Sequence, residues 1–388
     1  MTNTIIIIIC SLILIAYLFD ISAKNTKIPG VVLLLSVGIL AKIITNYSNF
    51  HVPNLEPFLP VIGTVGLILI VLEGALELEI NAQKRKLFTS TVKSAFTGLV
   101  LFSTVLAIGL FYLTDKPFLT CLINAIPLGI ISSAIAIPSV KNLDSHNREF
   151  VVYESSISDI LGIIFFNFLV LHDFFGIGTF ASFLFDIIII MALSIIASIA
   201  LGSMISKLNH HIKYIPIVTI LILLYIFTKI YHLPSLVLVL IFGLFLNNVH
   251  LIKFDFVKKW INPESIKAEV NSFEHLIAEV TFVIRSFFFI MFGYYTDIEA
   301  LLSLSDFVNA LLILVFIFAG RYLIFTLLKI RIAPLLYIAP RGLITILLFL
   351  AIPETHQVLE VNKGLLTQII FLTAFVMMFG LIRNKKTV

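Results

Sequence analysis

The feature that most constrains this chain is a succession of apolar runs, each long enough to cross a bilayer. The hydrocarbon core is about 30 Å thick and a helix rises about 1.5 Å per residue, so a span needs roughly 17 to 25 predominantly apolar residues. Thirteen such runs can be drawn, with approximate limits 4–20, 28–46, 57–80, 88–113, 118–140, 150–171, 181–205, 214–231, 234–250, 270–295, 307–328, 335–353 and 364–382. In hydrocarbon every backbone N–H and C=O must find its partner inside the protein, which makes each run a helix. The balance of 60% hydrophobic to 12% charged residues, with a mean hydropathy of +1.11, excludes an ordinary water-soluble globule. The expected fold class is therefore an all-α polytopic membrane protein.

The charges give an orientation. With the N-terminus outside, the inner connections run Asp20 to Lys27, Asn81 to Leu87, Lys141 to Glu149, Ser206 to Lys213, Leu251 to Glu269, Lys329 to Pro334 and onward from Arg383. Those segments hold 18 Lys and Arg, whereas the outer ones hold only Lys116 and Lys363. Basic residues concentrate on the cytoplasmic side, so this asymmetry predicts a cytoplasmic C-terminus and suits a cell inner membrane. The first run, Ile5 to Phe19, lacks the basic start and small-residue cleavage site of a signal peptide and reads as a retained span. Cys10 and Cys121 lie in separate apolar runs, so neither a disulfide nor a metal motif is expected. The longest inner connection is about 19 residues, and one transmembrane domain over 1–388 is expected, without a soluble regulatory domain.

A weak internal repeat adds topology. Ile28-Pro29-Gly30-Val31-Val32-Leu33 leads to Gly38, and Leu233-Pro234-Ser235-Leu236-Val237-Leu238 leads to Gly243. Each opens a span, and seven crossings apart they run in opposite directions, as in inverted-topology transporter repeats, here roughly 28–171 and 234–382. The bland alternative is that apolar helices starting at Pro and carrying an internal Gly are common in membranes.

Within span 6, Glu154-Ser155-Ser156-Ile157-Ser158-Asp159 puts two acids at membrane depth, where an ionisable side chain costs several kcal/mol and marks a functional site. Residues four apart share a helix face, so Ser155 points with Asp159 while Glu154 points elsewhere with Ser158. A carboxylate beside a hydroxyl is a hard-oxygen site for a small monovalent cation or a proton. Glu154 needs a cationic partner instead, and of the interior arginines, Arg285, Arg321 and Arg341, the expected one is Arg321 as a structural ion pair. Lys93 and Lys229 lie near span ends and can snorkel.

Two spans look breakable at membrane depth: span 5 at Ile131-Ser132-Ser133-Ala134-Ile135-Ala136-Ile137-Pro138 and span 12 at Ala339-Pro340-Arg341-Gly342. Unwound backbone there is tolerated where it is buried or lines a cavity, and two discontinuous helices crossing at the midplane would aim their ends at Asp159, with Ser132, Ser133 and Ser158 as further candidate ligands of the cation or proton. The competing reading is a simple proline kink in each. Glu73, in Leu72-Glu73-Gly74-Ala75-Leu76, is either a second ligand or a partner of a neighbouring helix; Glu77 and Glu79 lie nearer the inner end, and His210-His211 fall on an inner loop.

At these residues the chain resembles the monovalent cation/proton antiporter superfamily, the sodium/proton and potassium/proton exchangers, over nearly its whole length. The resemblance rests on Ile28-Pro29-Gly30-Val31 through Gly38, Leu72-Glu73-Gly74-Ala75-Leu76, Ser132-Ser133-Ala134, Glu154 to Asp159, Phe287-Phe288-Phe289 with Gly293 and Asp297, and Pro340-Arg341-Gly342, in that order. It implies a homodimer, a six-helix core moving against a scaffold, a span-6 aspartate matching Asp159 that binds cation and proton in turn, and the Glu154–Arg321 pair. The sequence departs from the family twice. Ser158 stands where electroneutral members typically carry Asn and electrogenic ones Asp, and Ala136-Ile137-Pro138 replaces the Thr-Asp-Pro of the electroneutral branch, while Ser132-Ser133-Ala134 resembles the other branch.

The expected activity is exchange of a monovalent cation, Na+ first, for protons by alternating access around Asp159. It is expected to be electroneutral because Ser158 cannot ionise. Cofactors, nucleic-acid partners, catalytic residues and any metal beyond the transported cation are not expected; the lipid bilayer is. The alternative on a similar scaffold is a proton- or sodium-coupled symporter of a small organic anion, using Arg285 or Arg341. A membrane-embedded enzyme would need paired catalytic groups at a membrane face, for which the outer loops are short and plain, and a channel would need a filter motif.

Overall fold

The computed structural model describes residues 2–26, 28–48, 54–78, 85–140, 143–171, 177–207, 210, 212–231, 233–251 and 263–384. Parts of the expected inner connections (81–84, 141–142, 208–209, 252–262 and 385–388), together with Glu79 and His211, lie outside the described residues.

Among the described residues the structure is helical throughout. In chain order the helices are α1 (Thr2–Thr26), α2 (Gly30–Ser48), α3 (Leu59–Glu77), α4 (Arg85–Thr114), α5 (Phe118–Gly129), α6 (Ser133–Ser139), α7 (Ser145–Leu171) and α8 (Ile177–Lys207). They continue with α9 (Tyr214–Ile230), α10 (Ser235–Asn247), α11 (Pro263–Tyr294), α12 (Ile298–Leu302), α13 (Leu304–Leu327), α14 (Leu343–Leu350) and α15 (Lys363–Arg383). Nine helical segments of the described residues, counting α5 and α6 as one, are long and apolar enough to cross a membrane, and three shorter apolar helices cover Ile7–Ser22, Tyr214–Ile230 and Ser235–Asn247. The twelfth expected span is not one helix. It consists of a single 3-10 turn at Leu335–Tyr337, an irregular stretch, and α14.

The chain forms two compact units. The first comprises Met1–Thr64, Lys86–Gly162 and Val283–Val388, the second Val65–Arg85 and Ile163–Phe282. Membrane helices gain little from the hydrophobic effect against each other and associate by close packing, which favours small residues at contacts. In the first unit Gly38 of α2 meets α11 at this kind of contact. A Cβ there would strike the Ile290 carbonyl and lie 3.0 Å from the Gly293 Cα. The core of this unit joins Cys121 and Ala125 of α5, Ile313 and Ile317 of α13, and Leu366 and Ile369 of α15. In the second unit α8 packs along α10, a Cβ at Gly243 would come 2.6 Å from that of Ala75, and Asn248 Nδ2 donates to the Leu78 carbonyl at 2.9 Å. That bond satisfies an orphan acceptor past the end of α3.

Both expected breaks are present. α5 stops at Gly129 and α6 begins at Ser133; between them Ile130 (φ −80°, ψ 133°) and Ser132 (φ −74°, ψ 115°) are extended. Pro127 inside α5 and Pro138 inside α6 each remove a ladder donor, so neither half is a regular helix. The second break, Ile338 to Gly342, precedes α14. The two breaks touch directly, Ser132 N donating to the Pro340 carbonyl at 2.9 Å. Gly342 fits closely there: a Cβ would lie 2.7 Å from Ser132 Oγ and 2.6 Å from Ile135 Cδ1, so both side chains would have to move.

Candidate functional site

Breaking two helices at membrane depth exposes donors and acceptors that hydrocarbon cannot satisfy. The partners they find define the site, which lies within the first unit. Three consecutive amides are freed in the span-5 break. Ile131 N donates to Ser158 Oγ at 3.0 Å, Ser132 N to the Pro340 carbonyl, and Ser133 N to Asp159 Oδ2 at 3.2 Å. Ser158 and Asp159 of α7 therefore both turn to the break, although helix geometry alone had set Ser158 with Glu154, away from Asp159. Adjacent residues on a helix diverge by about 100°, and the break is wide enough for both side chains to reach it.

The freed carbonyls are taken by the arginines. Arg341 Nε donates to the Leu128 carbonyl at 2.6 Å and Nη1 to that of Ala339 at 2.9 Å, while its own N–H meets Thr373 Oγ1 at 3.1 Å. A cation at the C-terminal carbonyls of α5 also suits the negative end of that helix's dipole. Pro138 cannot bond back to the Ala134 carbonyl, and Arg285 Nη1 reaches that carbonyl at 3.4 Å. Arg285 and Arg341, expected as further core charges, thus cap backbone carbonyls.

The structure brings Glu154 and Arg321 together in a bidentate pair, Nη2 to Oε2 at 2.6 Å and Nη1 to Oε1 at 3.0 Å. Arg321 also donates from Nε and Nη2 to the Leu335 carbonyl, at 3.2 and 3.0 Å, and lies 4.4 Å over the Phe325 ring. Ser94 Oγ donates to Glu154 Oε1 at 2.5 Å. Neither Ser94 nor the Leu335 carbonyl carried a sequence signal, because a serine in an apolar helix and a main-chain oxygen are unremarkable until the fold places them.

Asp159 is left without a cation. It is buried, no described residue forms an ion pair with it, and Oδ1 has no hydrogen-bond partner. Ser132 Oγ is likewise buried and unpartnered. Ser155 is buried, and its hydroxyl donates to the Val151 carbonyl at 2.7 Å, which leaves its oxygen lone pairs as acceptors. Glu73 is half-buried in the part of α3 that belongs to the second unit. Among the described residues no cluster of three or more His, Cys, Asp or Glu could hold a metal ion.

Broken helices meeting at a buried carboxylate are the architecture of secondary transporters, whose substrates bind where discontinuous helices line a polar site inside the membrane. The sequence matches the family described as sodium/hydrogen exchanger, transmembrane, over residues 10–383, and the chain belongs to that family. It is an integral membrane protein in a transporter family, with cation/proton exchange as its class of activity, and membership leaves the organic-anion symporter reading without support. No curated protein sequence matches the chain. Among solved structures the chain is similar to the sodium proton antiporter MjNhaP1 from Methanocaldococcus jannaschii at pH 8, with a TM-score of 0.68 and 16% identity over 98% of this chain and 96% of that one. A second structure of MjNhaP1, an electron-microscopy map, gives a TM-score of 0.66 and 17% identity over 99% and 96%. The fold is that of these antiporters.

Proposed function

We propose that the protein exchanges a monovalent cation, Na+ first, for protons by alternating access around Asp159. The observation that carries this reading is the buried carboxylate with one oxygen uncommitted, its other oxygen accepting from Ser133 N, at the meeting of two broken helices. Arg285, Arg321 and Arg341 are engaged elsewhere, so no charge among the described residues neutralises it. A bare carboxylate in this position is disfavoured by desolvation, and either a proton or a cation relieves that cost. One site that must be filled by one of two competing ligands gives obligatory exchange.

The cation is assigned to Asp159 Oδ1, with Ser132, Ser133 and Ser155 and unwound carbonyls completing a hard-oxygen shell. Ser158 is assigned to hold the break, and Glu154–Arg321 to fix α7 against α13. Ser158 cannot ionise, so one proton per cation and electroneutral transport follow; a potential-dependent current would instead direct attention to Glu73. We further infer inverted-repeat halves at 28–171 and 234–382 in one transporter domain, a homodimer, an inner-membrane location and a cytoplasmic C-terminus, the last resting on the Lys and Arg asymmetry.

The test is dissipation of a preset pH gradient in proteoliposomes on addition of sodium, potassium or lithium, with wild type and Asp159→Asn in parallel. Recovery with a cation in wild type and its loss in a folded Asp159→Asn is expected. Exchange that survives this substitution removes Asp159 from the mechanism.

A further inference from the structure

Between α4 and α13, within the first unit, lies a cavity of about 580 Å³ whose inner end reaches Ile131 and Ser158 at the span-5 break and to whose volume the transport reading gives no occupant. Its walls include Val105, Leu312, Phe316 and Leu323, which are 38%, 55%, 54% and 51% exposed in the whole chain, so it opens sideways at hydrocarbon depth. Glycines widen it from both helices. A Cβ at Gly109 would meet nothing within 4 Å, and one at Gly98 or Gly320 would meet a single side-chain atom at 3.9 Å. Small residues in membrane helices ordinarily admit a neighbouring helix, but these three face open space.

The floor of the cavity is cationic. Arg321 and Arg341 both line it, and Glu154 neutralises only Arg321. Arg341 is 3% exposed; its Nε and Nη1 are spent on carbonyls, and its Nη2 carries no hydrogen bond to any described residue. The acid in the lining, Glu360, is exposed and lies in the connection leading to α15. An apolar slot open to lipid and ending on a buried guanidinium complements an amphipathic anion.

We propose that this cavity binds a long-chain carboxylate from the bilayer, its head on Arg341 and its chain lying between α4 and α13. At roughly 30 Å³ per water-sized group the volume holds on the order of twenty such groups, the size of one long-chain fatty acid. A phospholipid fits less well. Its headgroup stays at the interface, and only a chain end would reach the guanidinium, which would remain unpaired. A fatty acid crosses to this depth protonated and can ionise against Arg341.

The test uses the full chain in phosphatidylcholine nanodiscs and a diazirine analogue of palmitate as photolabel, with labelled peptides mapped. Labelling is expected on α4 and α13. Palmitate should compete about tenfold or more better than methyl palmitate, which lacks the charge-assisted bond. Gly109→Leu, or Val105→Phe if that variant does not fold, should fill the slot and lower labelling about tenfold. Equal competition by the methyl ester would mean occupancy by any lipid chain and overturn the proposal, as would labelling that ignores both cavity-filling variants. Because the readout is binding, the result is independent of whether Asp159 carries exchange.

Discussion

The Glu154–Arg321 pair allows the sharpest prediction about what holds the site together. Both groups are buried, with side-chain exposures of 2% and 8%. The carboxylate accepts from Nη1, Nη2 and Ser94, while the guanidinium also caps the Leu335 carbonyl. Removing one partner of a buried pair strands the other charge and costs about 3–5 kcal/mol. Soluble domains unfold with about 2.1 cal/mol/K of entropy per residue; over 388 residues that is about 0.8 kcal/mol per degree, so Arg321→Met should lower the melting temperature by about 4–6 °C. Membrane helices keep structure on denaturation, which shrinks the entropy and makes about 4 °C the lower figure. Glu154→Gln should cost a similar amount, since it leaves Arg321 charged and buried. The double variant should recover most of the loss, because two neutral groups leave no buried charge stranded and the Leu335 carbonyl keeps Ile338 N as a donor at 3.2 Å. The assay is thermal denaturation in detergent followed by size-exclusion chromatography, for wild type and the three variants. A double variant less stable than either single one would show that the pair does not act as a unit and refute the reasoning.

Gly342→Ala places a methyl group 2.7 Å from Ser132 Oγ and 2.6 Å from Ile135 Cδ1, so it should displace the Ser132 hydroxyl, a proposed cation ligand, and the Ile135 side chain. Proteoliposome exchange should fall at least severalfold, and unchanged exchange would mean that the crossing has slack. Pro138→Ala restores an N–H that can bond to the Ala134 carbonyl now held by Arg285. Arg285→Ala should therefore cost about 1 kcal/mol less in a Pro138→Ala background than in wild type, and an additive thermal-stability cycle would exclude the shared acceptor. Asp144 N-caps α7 outside the membrane: Oδ1 accepts from Asn147 N at 3.0 Å and Oδ2 from Asn147 Nδ2 at 2.6 Å, and these bonds hold its carboxyl below the usual range. The group's folded pKa is depressed, so its contribution is present above the unfolded value near 4 and is lost as pH falls through the folded one. Asp144→Ala should lose about 1 kcal/mol at pH 7 and nothing further on acidification, and a variant with the wild-type acid dependence of melting would dismiss the cap.

What the sequence disclosed and what it withheld divide along a physical line. Apolar run length, helix-breaking prolines at depth and the pairing of acids with arginines are properties of composition and spacing, so the helical intervals, both breaks and the placing of Asp159 could be read before any coordinates. Side-chain direction at a break could not. The 3.6-residue period that set Ser158 apart from Asp159 holds for α7 itself. It says nothing about where the interrupted partner presents its amides, and that presentation brings Ile131 N to Ser158 and Ser133 N to Asp159. The same limit hid the arginines' work. Arg341 and Arg285 read as interior charges without an assigned acceptor, yet their acceptors are carbonyls freed by the end of α5 and by Pro138, and main-chain oxygens have no letter in a sequence. The consequence bears on the site's chemistry. Because the guanidiniums are committed to backbone and to Glu154, Asp159 Oδ1 remains without a hydrogen-bond partner among the described residues, and it is on that uncommitted oxygen that the proposed exchange of cation for proton rests.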